Sequence, residues 1–333
     1  MWPLDEYAQW ARHISPLAGT PPGSYTLYGS VFDLDNQQIA SSLDTAGNAV
    51  APRFALGTIT VSRPSRPFAL QPPRPAPHDF GTIALLGYDL DKITANAGDT
   101  VRLSLFWRSL AASAQDAAAQ ISLAGPNGKA AQVSMAPVNG LPTSQWQPGD
   151  EWRGQGLLHL PADLTDGDYT LIVALSGTAG SAPLLSLHIS APARSFVRPT
   201  VALPSGAEFS GVGVLEGYDL TRTATALTVN LIWRATATPA TGYSVFVHLQ
   251  GADGRVWAQS DGAPANWTRP TTGWLAGEYV IDAHTLNLPA DLPAGSYTLW
   301  TGLYDPAGGT RVSASGPGAA ADQRVDLEQV SLP

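Results

Sequence analysis

The stretch Trp274-Leu-Ala-Gly277-Glu278-Tyr279, continued by Leu288-Pro-Ala-Asp-Leu292 and Gly295-Ser-Tyr297-Thr-Leu299, decides the architecture of this chain because it recurs. Moved back by 128 positions without a gap, it reads Trp146-Gln-Pro-Gly149-Asp150-Glu151, Leu160-Pro-Ala-Asp-Leu164 and Gly167-Asp-Tyr169-Thr-Leu171. Moved back by 272, it reads Trp2-Pro-Leu-Asp5-Glu6-Tyr7, a looser Pro16-Leu-Ala18, and Gly23-Ser-Tyr25-Thr-Leu27. Self-similarity of this kind marks tandem units that share one fold.

The leading half of the unit occurs twice. Phe80 through Gly87-Tyr88-Asp89-Leu90 matches Phe209 through Gly217-Tyr218-Asp219-Leu220, and Leu105-Phe-Trp107-Arg108 matches Leu231-Ile-Trp233-Arg234. A turn at Gly125-Pro-Asn127-Gly128-Lys129 matches Gly251-Ala-Asp253-Gly254-Arg255. The units are therefore 1–67 (a trailing half), 80–191 and 209–332. The Pro-rich segments 68–79 and 192–208 read as linkers, since proline cannot donate to a ladder and favours extended backbone. The half-unit is expected to present an open sheet edge and an uncovered apolar face, whether it is a truncation or is completed by another chain.

Within the third unit, Leu227-Thr-Val229-Asn-Leu231-Ile-Trp233 and Tyr243-Ser-Val245-Phe-Val247-His248-Leu249 alternate apolar and polar residues as half-buried strands do. Asp253-Gly254 supplies a hairpin turn whose twist suits the flanking strands. The rest of the unit adds Tyr279 to Leu286, Tyr297 to Tyr304 and Val325 to Val330. Seven or so short strands per unit suit a Greek-key sandwich, so the fold class is all-β, tandem immunoglobulin-like β-sandwiches. Trp107 and Trp233 read as core anchors of central strands, each followed by an Arg on the opposite face. Tyr25, Tyr169 and Tyr297, each just after a Gly turn, read as tyrosine corners. Ala111 to Gln120 has helix-friendly composition but reads as a loop or a single turn.

Composition narrows the function. The 333 residues carry a net charge of -9 from 18 basic and 27 acidic residues. The few basic residues are scattered, which argues against nucleic acid as a partner. There are no cysteines, which excludes disulfides and thiolate chemistry. No apolar run approaches the ~18–20 residues that cross a bilayer, so direct membrane insertion by this chain is not expected. The start lacks the basic and apolar regions of a signal peptide, so any targeting element is expected outside this chain.

A search for chemistry returns no catalytic, cofactor or metal set. The histidines 13, 78, 159, 188, 248 and 284 never pair at ligand spacing, and no nucleophile elbow, phosphate loop or calcium loop occurs. His248, in an apolar strand, reads as a core or edge residue or else as a site residue. Asn266-Trp-Thr268 is a glycosylation sequon that means little without a eukaryotic secretory route. Trp267 stands apart, because it has no partner in the other units. It and Trp257 lie in a loop-rich stretch and are the candidate carbohydrate contacts, whereas Trp274 recurs as Trp146 and Trp2 and reads as an anchor.

The pattern Leu-x-Gly-Tyr-Asp-Leu (215–220), Leu-x-Trp (231–233), Val-Phe-Val-His-Leu (245–249), Asp-Gly-Arg-Val (253–256), Asp-Gly-x-Pro (261–264), Leu-Pro-Ala-Asp-Leu-Pro-Ala-Gly-Ser-Tyr (288–297) and Gly-Leu-Tyr-Asp (302–305) carries a resemblance. It resembles the tandem β-sandwich repeats that follow the multi-pass membrane segment of bacterial glycosyltransferase-like proteins of the dolichyl-phosphate-mannose mannosyltransferase type. The resemblance spans 80–332 and half of it recurs in 1–67. It is weaker in the second unit, where Ala119-Gln-Ile-Ser-Leu123 replaces Val-Phe-Val-His-Leu and residues 133–141 lack Asp-Gly-x-Pro. It implies an extracytoplasmic accessory module, a spacer or docking domain of a larger membrane-associated protein, and carries over no catalytic residue. The expected partners are the membrane-embedded part of the same protein, a cell-surface glycan or another protein. The alternative is a carbohydrate-binding module built on Trp267 and Trp257.

Overall fold

The computed structural model describes residues 11–32, 39–40, 42–43, 49–51, 53–65, 69–125 and 128–332. Among them the chain is all β, with no α-helix and two short 3-10 turns at Thr143–Gln145 and Thr271–Gly273. Ala111 to Ala118 is loop, and Gln120 already belongs to the Ala119–Gly125 strand.

In the middle of the chain, alternation drives the central strand. Thr100–Ser109 turns Val101, Leu103, Leu105 and Trp107 inward and fully buries them. It runs antiparallel to Ile83–Leu90 on one side and to Glu151–His159 on the other, with Arg74–Asp79 on the far edge of Ile83–Leu90. The opposing sheet orders Gly128–Met135, Ala119–Gly125, Gly167–Leu175 and Ala182–Ser190, all antiparallel, and Thr94–Asn96 joins its edge in parallel. Leu85, Leu103, Trp107, Ile121, Leu171 and Leu187 meet between the two sheets in one sandwich core. Each such side chain contributes roughly 1.5–3 kcal/mol by leaving water.

Residues 203–332 repeat the plan. One sheet orders Tyr279–Asn287, Ala226–Ala235, Gly213–Arg222, Leu203–Phe209 and Ala314–Ser315; the other orders Val256–Gly262, Ser244–Gly251, Gly295–Tyr304 and Val325–Leu332. They enclose a second, separate core around Trp233, with Phe209 edge-on to its ring at 5.2 Å. Trp107 and Trp233 are thus the core anchors expected. Their neighbours Arg108 and Arg234 point the other way, onto Glu151 and Glu216.

The Pro-rich segments do more than space the units. Arg74–Asp79, with Pro75 and Pro77, forms an edge strand, and Leu203–Phe209 adds a strand beyond Gly213–Arg222. Proline is tolerated at such positions because an outer strand leaves one row of backbone groups unpaired.

All three tyrosine corners form. Tyr25, Tyr169 and Tyr297 each donate their hydroxyl to the carbonyl four residues back, on Pro21 (2.8 Å), Thr165 (3.0 Å) and Pro293. Each bond pins the turn that feeds the strand. In the half-unit, Gly23–Gly29 pairs only with Phe54–Val61 among the described residues, and Tyr28, Phe54 and Leu56 stay exposed. Phe54 and Leu56 share the Gly29 side of this hairpin, and Tyr28 lies on the other. Trp2 to Tyr7 lies outside the described residues.

Tyr169→Phe and Tyr297→Phe should each cost about 1 kcal/mol, read as a lower urea midpoint at unchanged slope. Tyr25→Phe should cost less, since its corner is more exposed. Alkaline conditions should also weaken the fold. Burial, with the Glu328 charge adding to it, pushes the Tyr218 phenol up to about 12. The unfolded phenol ionises near 10. The Tyr218 contribution is therefore complete below about pH 10 and is lost as pH rises toward 12, so urea midpoints should fall across that window.

Candidate functional site

The two complete units differ sharply at the turn that leads into the anchor tryptophan, where strand register gives the third unit one residue more: ten separate Met135 from Trp146, and eleven separate Gly262 from Trp274. In the second unit the chain after Met135 runs Ala136-Pro-Val138-Asn-Gly-Leu-Pro142; in the third, after Gly262, it runs Ala263-Pro-Ala-Asn266-Trp267-Thr-Arg-Pro270. Both turns enter a 3-10 turn and end on an anchor tryptophan that holds the turn by its indole N–H. Trp146 Nε1 donates to Leu141 O at 3.1 Å, and Trp274 Nε1 donates to Arg269 O at 2.9 Å.

Between these shared ends the turns diverge. Val138 sinks into the second core. Its neighbour Pro137 packs so tightly on Gly154 that a Cβ there would lie 1.7 Å from the Pro137 carbonyl oxygen. The third unit has Asp282 at that position. Its fully buried carboxylate accepts the Ala265 N–H at 2.7 Å. Ala265, Asn266 and Trp267 then all adopt left-handed backbone, with φ of 52°, 51° and 68°. For residues with a Cβ this costs about 1–2 kcal/mol each, so the surroundings must hold it. Trp267 N–H to Ala263 O (3.0 Å) and Thr268 Oγ1 to Ala265 O (2.6 Å) complete the turn. Trp267 ends 62% exposed, the most exposed tryptophan among the described residues, with its ring edge beside Gly262.

Asp282 is itself held. His284 Nε2 lies 3.0 Å from its second oxygen, and His284 Nδ1 lies 3.0 Å from Ser260 Oγ. In the second unit Gly156 and Val133 occupy the corresponding positions, and Met135 fills the space. Ser, His and Asp in line are the residue types of a nucleophile relay. Here the imidazole uses both nitrogens inside the sandwich, and the second carboxylate oxygen holds the turn. The line thus extends from the Val256–Gly262 strand to the Trp267 turn. Sequence reading missed it, although the 128-residue offset sets Gly154 and Gly156 against Asp282 and His284.

Trp257 is placed differently. It is half-buried against the third core, with the Arg255 guanidinium 4.0 Å over its ring. The two candidate sugar contacts are therefore unequal: Trp257 has one face covered and Trp267 stands free.

His248 lies on the outer face of its sheet. Its Nε2 is 2.9 Å from Asp261 Oδ1 and its ring meets Trp300 edge-on at 4.6 Å. Phe246 and Trp300, also outward, are nonetheless buried. The long connection after Tyr304 covers them, setting Arg311 5.3 Å and Arg324 5.2 Å from the Trp300 ring. This explains why Ser244–Gly251 reads apolar on both faces. The second unit has Gln120 and Ser122 in place of Phe246 and His248, and no comparable connection.

That connection also adds Ala314–Ser315 to the opposite sheet and walls a polar cleft of about 550 Å³ lined by Glu208, Ser210, Arg234, Thr236 and Ser313. A smaller apolar cleft of about 250 Å³ lies between the units, lined by Leu160, Pro161, Pro239 and Ala240. Neither includes Ser260, His284 or Trp267. Among the described residues no three His, Asp or Glu side chains converge as a metal site. Nor is any helix there long and apolar enough to cross a membrane.

No family model and no curated protein matches the chain. Among solved structures, a DUF4785 family protein from Legionella pneumophila is 16% identical at a TM-score of 0.22, over 74% of this chain and 58% of that one. Alpha-2-macroglobulin of E. coli in its native conformation is 11% identical at a TM-score of 0.23, over 83% of this chain and 18% of that one. The chain therefore spans less than two thirds of either protein.

The covered aromatic cluster gives a test. Replacing Arg311 and Arg324 together by Ala should open Trp300 to acrylamide quenching and cost about 1–2 kcal/mol in urea unfolding. Unchanged quenching would mean that the connection covers the ring without them.

Proposed function

We propose that this chain is a non-catalytic array of immunoglobulin-like sandwiches. On this reading it serves as an extracytoplasmic spacer and docking arm of a larger membrane-associated bacterial protein of the glycosyltransferase-like kind. Two features support the immunoglobulin-like reading. The first is the strand order: in each complete unit one hairpin pairs with the strand that follows the crossover, and the short Thr94–Asn96 strand pairs in parallel with the last strand. The second is the tyrosine corner.

The observation that carries the spacer reading is a latch that occurs at both junctions. Arg194, in the linker, donates Nη1 to Gly273 O at 2.9 Å and to the buried Glu278 carboxylate at 2.6 Å. Its other terminal nitrogen donates to Ala162 O of the preceding unit. Arg269 joins the same carboxylate and donates to Ala193 O at 3.0 Å. Thr272 Oγ1 reaches Gly98 O at 2.8 Å, and the backbones approach so closely that a Cβ on Gly98 would lie 2.1 Å from Gly273 Cα. One junction earlier, Arg63 pairs with Asp150 and donates to Gln145 O at 2.9 Å, with its guanidinium 5.3 Å over Trp152. Asp150 and Gln145 are the counterparts of Glu278 and Gly273 at the 128-residue offset. Arg153 N–H to Gly19 O at 2.8 Å adds a backbone tie.

A flexible tether has no need of such contacts. A repeated, buried charge pair across each junction instead fixes the angle between successive units, as a reach-setting arm requires. Breaking such a pair by removing one partner costs about 3–5 kcal/mol.

Because the chain has no cysteine, spin labels can be placed at Arg102→Cys and Thr285→Cys without background. Electron–electron resonance should give one narrow distance distribution, broadened by Arg194→Ala. A broad distribution in the parent would overturn the spacer reading. The membrane context is checked in the genome. The frame upstream of Met1 should run into apolar stretches of about 20 residues. A stop codon and ribosome site directly before Met1 would remove it.

A further inference from the structure

The geometry points to the Ala265–Thr268 turn as a binding site for a neutral saccharide, with Trp267 as the stacking platform. The inference is independent of the spacer reading and rests on the comparison of the turns that lead into Trp146 and Trp274. The second unit shows that this position needs no exposed aromatic residue: Val138 sits in the core, glycine lies beneath, and Pro137, Val138 and Asn139 keep ordinary backbone. The third unit replaces that glycine by a fully buried carboxylate, props the carboxylate with His284 and Ser260, and holds three residues left-handed. Core packing does not account for the exchange, because its product is an indole facing water. A strained turn over-determined by a buried network is how folds hold a recognition residue in place.

The surroundings select the ligand chemistry. Asn266 and Thr268, on either side of Trp267, are exposed and neutral. Pro264 to Thr268 contains no charged residue, and Asp282 lies inside the sandwich. The nearest guanidinium in sequence, on Arg269, is engaged by Glu278 and Ala193 O. An anionic ligand therefore meets no free cation in the turn itself. A rigid indole face rimmed by an amide and a hydroxyl matches a pyranose ring, which offers an apolar C–H face and a ring of hydroxyls. Trp257 belongs to the packing, under Arg255, and is not part of this platform.

Isothermal titration of the full chain with cellohexaose, mannohexaose and chitohexaose tests this. At least one should bind with a dissociation constant of about 1 mM or below. Trp267→Ala should weaken that binding at least about tenfold, and Trp267→Phe should weaken it less. Both should keep the parent unfolding temperature, since the side chain is exposed. Asp282→Gly, which restores the second unit's residue, should weaken binding while leaving the indole in the chain. If it lowers the unfolding temperature as well, the Trp267 variants decide alone. No binding to any of the three sugars at 5 mM (about five times the weakest affinity expected), or binding that survives Trp267→Ala, would overturn the proposal. Neither result bears on the distance distribution that tests the spacer.

Discussion

The carboxylate of Glu278 organises much of this chain. It has no solvent exposure, and an isolated charge there would cost several kcal/mol of desolvation. Two guanidinium groups offset that cost, one from the linker and one from the turn of its own unit. The linker must therefore cross the face of the next unit, and the Arg269–Trp274 turn must curl back beneath it. Gly98 and Gly273 must come backbone to backbone to let this happen. Asp150 imposes the same conditions on Arg63 one junction earlier. Hydrophobic cores make each sandwich stable, but they do not specify how one sandwich meets the next. These directional charges do.

The two complete units then diverge in what they present outward. In the second, the sheet containing Ala119–Gly125 shows Gln120 and Ser122 to solvent, and small or apolar residues fill the side beneath the Gly128–Met135 strand. In the third, the corresponding sheet face carries Phe246, His248 and Trp300 beneath the arginines of an added connection. The side of the sandwich holds a buried polar line instead of glycines. The four strands shared by each pair of sheets keep their order while both surfaces change, so one framework carries two different exteriors.

Much of the architecture is legible in the sequence because period-2 alternation and a repeat offset are local signals. Trp233 follows Leu231 at the spacing that puts both inward, and Tyr297 follows the Gly295 turn that its hydroxyl closes. What is not legible depends on three-dimensional partners. Nothing in Arg63-Pro or Ala193-Arg194 marks a guanidinium that crosses to another unit. Pro75 and Pro77 read as a linker because an edge strand is recognisable only once its neighbour is placed. Trp267 was visible as a residue without a counterpart. Its exposure, and the partial covering of Trp257, required the turn and the Arg255 stack. The buried line was legible in principle, since a Gly-to-Asp change opposite a Gly-to-His change two residues on is an unusual pair.

The place of the extra residue, inside the third unit's turn, has an evolutionary consequence. When a unit is duplicated in tandem, most new surface features need insertions that disturb strand register. Here one added residue, lodged in the turn and not in a strand, and a few point changes separate a turn that tucks a valine inside from one that raises a tryptophan outside. A duplicated sandwich of this kind can keep one copy as scaffold and let its sibling explore new surfaces, with strand pairing on either side of the turn left intact.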